Sequence, residues 1–377
     1  MKKSLFLFAL LAIMLSGCSA VRAIRYGMPS TDAWKNFALD TIHSGEKKSE
    51  VFITTPAHDN FLEVTKFSGG RLNDETIGEY FGRVRGDGAL LIIRNDTVLL
   101  EKYYGYVTSD TPVSLFSISK ALTSLLCGIA VDEGYIASVD DPVTKYIPEL
   151  ESRAAGFKNL TIAHLLDMRT GLDFKEGYGW NPFSQLARLY YENDVLKHIK
   201  KVGFNGIPGE THYYNSMATA ILGVVIERSV GKPYAKYMQE KVWEPLGMEH
   251  DAYIALDDKN HRQAKAYGGI ASNIRDLAKI GRLYLKGGEY NGQCIVSKDW
   301  IDRSTHSSLE NNAYSFGWNN IISMREGKEY VTPRFFALGL FGQVLFCDPE
   351  KNLIFVTIGE KKGAEYHLLF DDLSGKL

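Results

Sequence analysis

Residues 113–120 of this chain read Val113-Ser114-Leu115-Phe116-Ser117-Ile118-Ser119-Lys120. The first four residues are typical of a short strand, and the stretch 121–133 that follows is apolar on nearly every side, which predicts a buried helix. Ser117 therefore lies at a helix N-terminus, where free backbone N–H groups and a positive potential favour a developing oxyanion. Lys120 lies one turn further along, on the same face as Ser117. We predict that Ser117 is a nucleophile and that Lys120 is a buried cation that helps to activate it.

The Ser-x-x-Lys pattern is weak by itself, because it occurs three times in the chain. Ser44 and Lys47 lie in a polar stretch near the N-terminus, and Ser229 and Lys232 lie at the C-terminal end of a predicted helix. Only Ser117 opens a buried helix. For Ser117 and Lys120, the alternative is an N-cap serine followed by a surface lysine, which fits poorly with so apolar a helix.

A second pattern, Tyr-x-Asn, occurs twice. The copy at residues 191–193 lies in a polar helical stretch, whereas Tyr213-Tyr214-Asn215 lies on a loop between a Pro-Gly turn and an apolar helix. Positioned polar groups of active sites are common on such loops. We therefore predict that Tyr213 transfers protons between Ser117 and a leaving group, and that Asn215 hydrogen-bonds Lys120 and a substrate carbonyl. A tyrosine that only packs beside the turn is the alternative.

Two pairs of strand-like runs predict β-hairpins. Residues 89–93 and 98–100 flank Asn95-Asp96, which suits a tight turn, and residues 343–346 and 353–357 flank a turn over 348–352. The stretch between the hairpins is mostly helical, with candidate helices at 162–168, 184–200, 216–229, 234–242 and 274–285. We therefore predict a mixed α/β fold, in which one antiparallel sheet is flanked by helices and an all-helical subdomain is inserted at roughly 120–260.

The Ser-x-x-Lys and Tyr-x-Asn elements together resemble the penicillin-recognising serine hydrolases. This family includes class C β-lactamases, DD-peptidases, and related esterases and amidases such as aminohexanoate-dimer hydrolase. Further stretches match it in order and spacing, and they are residues 164–172 (HLLDMRTGL), 243–248 (WEPLGM) and 268–278 (GGIASNIRDLA). The resemblance covers roughly residues 80–365. It implies the β-lactamase/transpeptidase-like fold and an acyl-enzyme mechanism without metal or cofactor.

The third motif of that family is altered in this chain. The family carries Lys-Thr-Gly, or a His in place of the Lys, whereas the matching stretch here is residues 335–343 (FFALGLFGQ). Ala337 takes the place of the cation and Gly339 is retained. In the family this cation binds the carboxylate of a β-lactam or of a D-Ala-D-Ala terminus, and losing a charge-assisted hydrogen bond costs ~1.5–3 kcal/mol. The resemblance still implies that the N–H groups of Leu340 and Ser117 form an oxyanion hole.

These patterns predict an esterase or amidase that is acylated on Ser117, with Lys120 and Tyr213 as its activating pair. Its substrate would be a small-molecule ester or amide, or a wall peptide. Two alternatives stay open. One is a true β-lactamase or DD-peptidase that acts on cell-wall peptides. The other is a non-catalytic envelope lipoprotein that binds without turnover, which the intact Ser/Lys/Tyr/Asn set disfavours.

The N-terminus predicts export and lipid anchoring. Two lysines precede an apolar run from Leu5 to Leu15, which is too short to span a bilayer and is typical of a signal peptide. The run ends in Leu15-Ser16-Gly17-Cys18, which resembles the lipobox of bacterial lipoproteins. We therefore predict a signal peptide over 1–17, an acylated Cys18 that anchors the protein to a membrane of the bacterial cell envelope, a tether over 18–50 and a hydrolase domain over 51–377. A plain secretory signal is the alternative.

Composition argues against several other classes of protein. The chain has 43 Lys and Arg against 45 Asp and Glu, a net charge of −2, and no basic block, so nothing indicates nucleic-acid binding. The histidines lack metal-ligand spacing, and the sequence contains neither a P-loop nor a Gly-x-Ser-x-Gly elbow. Beyond Cys18, the three remaining cysteines are widely spaced and predict no disulfide framework.

Overall fold

The computed structural model describes residues 19–54, 62, 65–69, 72–84, 86–179, 181–360 and 365–377. Within these residues the strands are β1 (Ala38–Ile42), β2 (Phe67–Gly69), β3 (Leu72–Glu75), β4 (Gly88–Arg94), β5 (Thr97–Tyr104), β6 (Val113–Ser114), β7 (Ala252–Leu256), β8 (Ile270–Ser272), β9 (Glu289–Tyr290), β10 (Gln293–Cys294), β11 (Tyr314–Ser315), β12 (Trp318–Arg325), β13 (Lys328–Gly339), β14 (Gln343–Asp348) and β15 (Leu353–Gly359).

The α-helices of the same residues are α1 (Ser19–Tyr26), α2 (Ile77–Val84), α3 (Ile118–Asp132), α4 (Ile162–Leu166), α5 (Gln185–Tyr190), α6 (Val195–Ile199), α7 (Ser216–Val230), α8 (Tyr234–Met238), α9 (Ile274–Leu285), α10 (Lys298–Thr305) and α11 (Tyr366–Lys376). Within the part of the chain that the structure describes, no helix combines the length and the apolar character that crossing a membrane would need.

The main sheet is antiparallel, with the strand order β11-β12-β13-β14-β15-β4-β5. Its central strands are buried on both faces, and alternate residues contribute to two different cores. In β4, Leu91 and Ile93 belong to the core that contains α3 and α9, whereas Leu90 and Ile92 belong to the core that contains α2 and α11. The sheet is thus covered by helices on both faces, which is the flanked arrangement that the sequence predicts.

Both predicted hairpins are present in this sheet. Asn95 and Asp96 join β4 to β5 with φ of 51° and 62°, the backbone of a tight turn whose twist matches that of the strands. The Asp96 carboxylate also binds Arg282 of α9 with an N–O distance of 2.8 Å, which fixes the turn to a helix. The second hairpin joins β14 to β15, and β15 pairs with β4. The prediction of one antiparallel sheet with flanking helices is confirmed.

The helical region predicted at roughly 120–260 contains α3–α8, but it is not all-helical as predicted, because β7 (Ala252–Leu256) lies near its C-terminal end. One of its predicted helices, 184–200, is wrong in its extent, because α5 ends at Tyr190 and α6 begins at Val195. Asp194 caps α6 by accepting from the N–H of Lys197 at 2.8 Å, and Asp257 accepts from the N–H of Val195 at 3.0 Å. These carboxylates start a new helix where the sequence pattern suggests continuity.

The prediction of a tether over 18–50 needs a correction, because much of this segment is part of the folded body. It contains α1 and β1, and β1 pairs with β7 along its full length from Ala38 to Ile42. Ala23 and Phe37 are buried against Tyr191 and Ala255. A helix, a turn and a strand within so short a stretch produce no sustained period, so the pattern alone does not reveal them. The predicted signal peptide over 1–17 and the predicted acylation site Cys18 lie outside the described residues.

Candidate active site

Ser117 and Lys120 lie at the start of α3, as the sequence predicts. The Nζ of Lys120 donates to the Oγ of Ser117 at 2.8 Å and to the carbonyl oxygen of Tyr267 at 2.9 Å. Lys120 is only 2% exposed, so water screens the charge of its ammonium group only weakly. A buried cation that donates to a serine oxygen favours negative charge on that oxygen, which is what a nucleophile requires.

The structure separates the two neighbouring tyrosines of the Tyr-x-Asn loop. Tyr214 is half-buried, its ring centroid lies 5.0 Å from the Nζ of Lys120, and it lines a cavity together with Ser117. Tyr213 is 49% exposed and lines a different cavity, which does not include Ser117. Asn215, which follows the two tyrosines, has an extended backbone with φ −152° and ψ 141°, and consecutive side chains of an extended chain point to opposite sides. The predicted placement of Tyr213 beside Ser117 is therefore corrected, and Tyr214 occupies that place.

Asn215 also differs from its predicted placement. Its Oδ1 accepts from the N–H of Ala218 at 2.9 Å and so caps α7, while its Nδ2 donates to Thr170 Oγ1 at 3.2 Å and to the Tyr213 carbonyl at 3.0 Å. The side chain is 1% exposed, and among the described residues it makes no hydrogen bond to Lys120. Asn215 thus holds the loop, and the adjacent Ser216 lines a cavity with Ser117.

Gly339 and Leu340 lie beside Ser117, at the end of β13. A Cβ on Gly339 would lie 2.3 Å from the carbonyl oxygen of Leu115, so only glycine allows this close approach. Leu340 lines both cavities that Ser117 lines. Within the described part of the chain, neither the Ser117 N–H nor the Leu340 N–H donates to a protein acceptor. Both groups are therefore available to a substrate oxygen, as an oxyanion hole requires.

Two phenylalanines fix the backbone on either side of these N–H groups. Phe116 precedes Ser117 with φ 49°, and Phe341 follows Leu340 with φ 66°, which is a left-handed conformation that bulky residues rarely adopt. Their rings meet edge to face with centroids 5.4 Å apart. The contact between the rings joins the two backbone segments, and so it helps to hold the strained conformations in place.

At the position where the family carries a Lys or a His, this chain has Ala337 and no positive charge. Ala337 is 1% exposed and packs into the core that contains α3, while the next residue, Leu338, lines the cavity. Arg334, on the same strand, forms an ion pair with Asp371. Among the described residues, no Lys or Arg is among those that line either cavity beside Ser117.

Two cavities meet at Ser117 and differ in character. We call the first the aromatic cavity, and it is lined by Met28, Pro29, Phe116, Ser117, Glu176, Gly177, Tyr178, Gly179, Asn181, Ser184, Leu186, Ala187, Tyr190, Tyr191, Ser216, Tyr267, Gly268 and Leu340. We call the second the polar cavity, and it is lined by Ser117, Tyr178, His212, Tyr214, Asn312, Tyr314, Gly317, Asn319, Leu338, Gly339, Leu340, Phe341, Gly342, Glu365 and His367. Ser117, Tyr178 and Leu340 line both.

The polar cavity holds a histidine beside Tyr214. The Nδ1 of His212 lies 2.9 Å from the Nδ2 of Asn312, so a neutral imidazole can accept from this amide. Burial, helped by the nearby charge of Arg169, lowers the pKa of His212 below its ordinary value of 6.5. The imidazole is therefore neutral at pH 7, and it adds no positive charge to the cavity.

The wall of the aromatic cavity was not predicted from the sequence. Tyr191 belongs to the stretch that was predicted to be a polar helix, but it is 1% exposed and donates its hydroxyl to the carbonyl of Gly27 at 2.7 Å. This bond and the stacking of Tyr26 on Tyr191, with ring centroids 6.0 Å apart, bring Met28 and Pro29 to the cavity. The consecutive aromatic residues 190–191 were the available signal, because such pairs are rarely left at a polar surface.

Comparison with known proteins agrees with this geometry. The family model described as "Beta-lactamase" matches residues 74–368. The chain belongs to the beta-lactamase family. Its predicted resemblance to penicillin-recognising serine hydrolases is thereby confirmed, as is its assignment as a serine hydrolase.

Two curated members of the beta-lactamase family show how much of this chain is similar to known proteins. The 6-aminohexanoate-dimer hydrolase of Paenarthrobacter ureafaciens is 27% identical over 297 residues, which cover 72% of this chain and 71% of that protein. A protein of Escherichia coli (strain K12), provisionally named D-alanyl-D-alanine carboxypeptidase, is 24% identical over 344 residues, covering 72% and 77% of the two chains. These relatives differ in their named substrates, so membership in the beta-lactamase family leaves the substrate of this chain open.

A solved structure from Bacillus anthracis, provisionally named 6-aminohexanoate-dimer hydrolase, superposes on this chain with a TM-score of 0.78 at 21% identity. The superposition covers 92% of both chains. The beta-lactamase/transpeptidase-like fold predicted from the sequence is confirmed by this likeness.

Proposed function

We propose that this protein hydrolyses a carboxylic ester or amide through an acyl-enzyme on Ser117. The observation that carries the proposal is the hydrogen bond of 2.8 Å from the buried Lys120 ammonium to Ser117 Oγ, next to two unused backbone N–H groups. A nucleophile, a charge that stabilises its anion, and donors for the carbonyl oxygen are the minimum set for acyl transfer.

The proton is carried by Tyr214 in this mechanism. As Ser117 Oγ adds to the carbonyl carbon, its proton passes to the phenol oxygen of Tyr214 while the phenol's own proton passes to the leaving oxygen or nitrogen, and Lys120 supplies positive charge beside both groups. The leaving oxygen or nitrogen, now protonated, departs as its bond to the carbonyl carbon breaks, and Tyr214 is again a neutral phenol. In the second half, a water oxygen adds to the acyl carbon, the water proton passes to the phenol oxygen of Tyr214, and the phenol's own proton passes to Ser117 Oγ as the bond from Ser117 to the acyl carbon breaks and the acid departs.

The proposed substrate lacks a carboxylate near the reacting bond. Ala337 supplies no cation, and no Lys or Arg is among the described residues that line either cavity. A carboxylate bound there would lose its water without gaining a charged partner. This favours neutral esters and amides over β-lactams and D-Ala-D-Ala termini.

The test is a substrate panel combined with labelling of the nucleophile. A fluorophosphonate should attach to Ser117 and to no other serine, as read by peptide mass mapping. A short-chain p-nitrophenyl ester should be hydrolysed with a kcat/KM at least about tenfold above that of a chromogenic cephalosporin. Label on another serine, or a lack of label together with a lack of turnover, would refute the proposal and favour a binding function. Equal efficiency on ester and cephalosporin would refute the substrate class alone.

We also propose that Cys18 is acylated and anchors the protein to a membrane of the cell envelope. The support is the sequence Leu15-Ser16-Gly17-Cys18 after an apolar run. Cys18→Ser should move the protein from the membrane to the soluble fraction, whereas the matched Cys294→Ser change, at an exposed cysteine of the folded body, should leave it membrane-bound. An intact mass that shows an unmodified N-terminus would contradict the proposal.

A further inference from the structure

The two cavities beside Ser117 are not equivalent with respect to the proton carrier. Tyr214 and its neighbour His212 line the polar cavity and are absent from the wall of the aromatic cavity. Ser117 and Leu340, which hold the reacting carbonyl in the proposed mechanism, line both. The carbonyl carbon therefore lies where the cavities meet, with one half of the substrate on either side.

The position of Tyr214 decides which half enters which cavity. The leaving atom must come within hydrogen-bond reach of the group that protonates it. Since Tyr214 lines only the polar cavity, the leaving group lies there. The acyl group, on the other side of the carbonyl, must then enter the aromatic cavity.

The chemistry of the aromatic cavity indicates what kind of acyl group fits. Its wall combines Met28 and Pro29 of the N-terminal segment with Leu186, Ala187 and Tyr190 of α5. Two polar side chains of this wall, Glu176 and Ser216, already hydrogen-bond each other, so neither needs a hydrogen-bond partner from the substrate. Both oxygens of Glu176 accept hydrogen bonds from Ser216, each at 2.7 Å. A carbon chain without charge fits such a wall, because burying it there removes apolar surface from water.

We propose that the aromatic cavity is the acyl subsite, that it takes a neutral apolar acyl chain, and that the N-terminal segment forms part of its wall. The proposal rests on the proposed function, since it requires an acyl-enzyme on Ser117. It has a kinetic consequence. The leaving group has departed before deacylation begins, so contacts of the polar cavity with the leaving group influence only acylation, whereas contacts of the aromatic cavity with the acyl group influence both steps.

The experiment uses two series of esters. One varies the acyl chain from acetyl to decanoyl with a constant p-nitrophenyl group, and the other varies the alcohol with a constant acetyl group. Wild type should prefer hexanoyl to acetyl by about tenfold or more in kcat/KM, because four added methylenes are buried. The kcat/KM for the hexanoyl ester should also exceed the kcat/KM for the 6-aminohexanoyl ester.

The variants change one cavity at a time. Ala187→Leu fills the aromatic cavity and should shift the preferred acyl chain to a shorter one, while Met28→Ala widens it and should shift the preference to a longer one. Both should change the deacylation rate constant, measured after the burst of p-nitrophenol. The matched change in the polar cavity, Leu338→Ala, should alter the dependence on the alcohol and leave the preferred acyl chain unchanged.

The outcomes separate this proposal from the one on which it rests. A burst and a label on Ser117, combined with acyl preferences that respond to Leu338→Ala but not to Met28→Ala or Ala187→Leu, would overturn the acyl subsite and leave the proposed function standing. A higher kcat/KM for 6-aminohexanoyl than for hexanoyl would overturn the apolar character. The absence of both burst and label would overturn the proposed function and this inference together.

Discussion

The start of α3 and the loop over residues 211–216 hold polar groups in different ways. In α3, two side chains three residues apart meet at 2.8 Å because one helical turn stacks them on the same face. In the loop, two tyrosines that are adjacent in sequence line different cavities, because extended backbone turns consecutive side chains to opposite sides. A shift of one residue is therefore enough to exchange the group that faces Ser117 for one that faces solvent.

The largest effects are expected at the start of α3. Ser117→Ala removes the nucleophile and should lower kcat for the p-nitrophenyl ester by at least about 10³-fold, leaving only residual catalysis by the oxyanion hole and binding. Lys120→Met removes the buried charge and should cost a similar factor. Because the two residues act as a unit, the double variant should be hardly slower than either single variant.

The control for the Ser117 and Lys120 variants is a test that each variant is folded. Lys120 is buried, so near-UV circular dichroism and thermal unfolding must show that Lys120→Met is folded before its rate is interpreted. Losses that multiply in the double variant would mean that the residues act independently, which would contradict the shared role inferred from their hydrogen bond.

A smaller but more diagnostic effect is expected in the loop. Tyr214→Phe removes the proposed proton carrier and should lower kcat by about 10²–10⁴-fold with little change in KM. Tyr213→Phe is the matched control, because it removes the same atom from the neighbouring residue, and it should remain within about twofold of wild type. The reverse ranking would restore the Tyr213 assignment and contradict the structural placement.

The contrast between α3 and the loop over residues 211–216 also explains which features of the fold and the site could be predicted from the sequence. The helix after Ser117 and the hairpin turn at Asn95-Asp96 were predictable, since periodicity and turn chemistry are local properties. The orientation of Tyr214 was not, because a Tyr-x-Asn pattern does not state which residue of the loop faces inward. The role of residues 19–42 was hidden for another reason. β1 finds its partner β7 more than 200 positions away, as in the pair Ala38 and Leu256, and such pairing leaves no local pattern.

A stability effect is expected at Asn215, the cap that holds the loop. Asn215→Ala removes the acceptor for the Ala218 N–H and the donor to Thr170, and it should lower the free energy of unfolding by about 0.5–2 kcal/mol. Asn215→Ser retains a capping oxygen and should recover most of that loss. Urea denaturation measures both. A variant that keeps its stability but loses turnover would show instead that Asn215 orients the substrate.

The smallest expected effect concerns His212, in the same loop, and it depends on pH. Burial, together with Arg169, lowers the pKa of the folded-state imidazole below its ordinary value of 6.5. Between the lowered value and 6.5 the unfolded chain binds a proton that the folded chain does not, so the free energy of unfolding falls as pH falls through this window. Protonation also removes the Nδ1 acceptor from Asn312. His212→Gln cannot be protonated, so between pH 7.5 and 5.5 it should lose less stability in urea denaturation than wild type does, while groups unaffected by the substitution contribute equally to both proteins. An identical loss in the two proteins would show that His212 titrates alike in the folded and unfolded chains, and it would contradict this prediction.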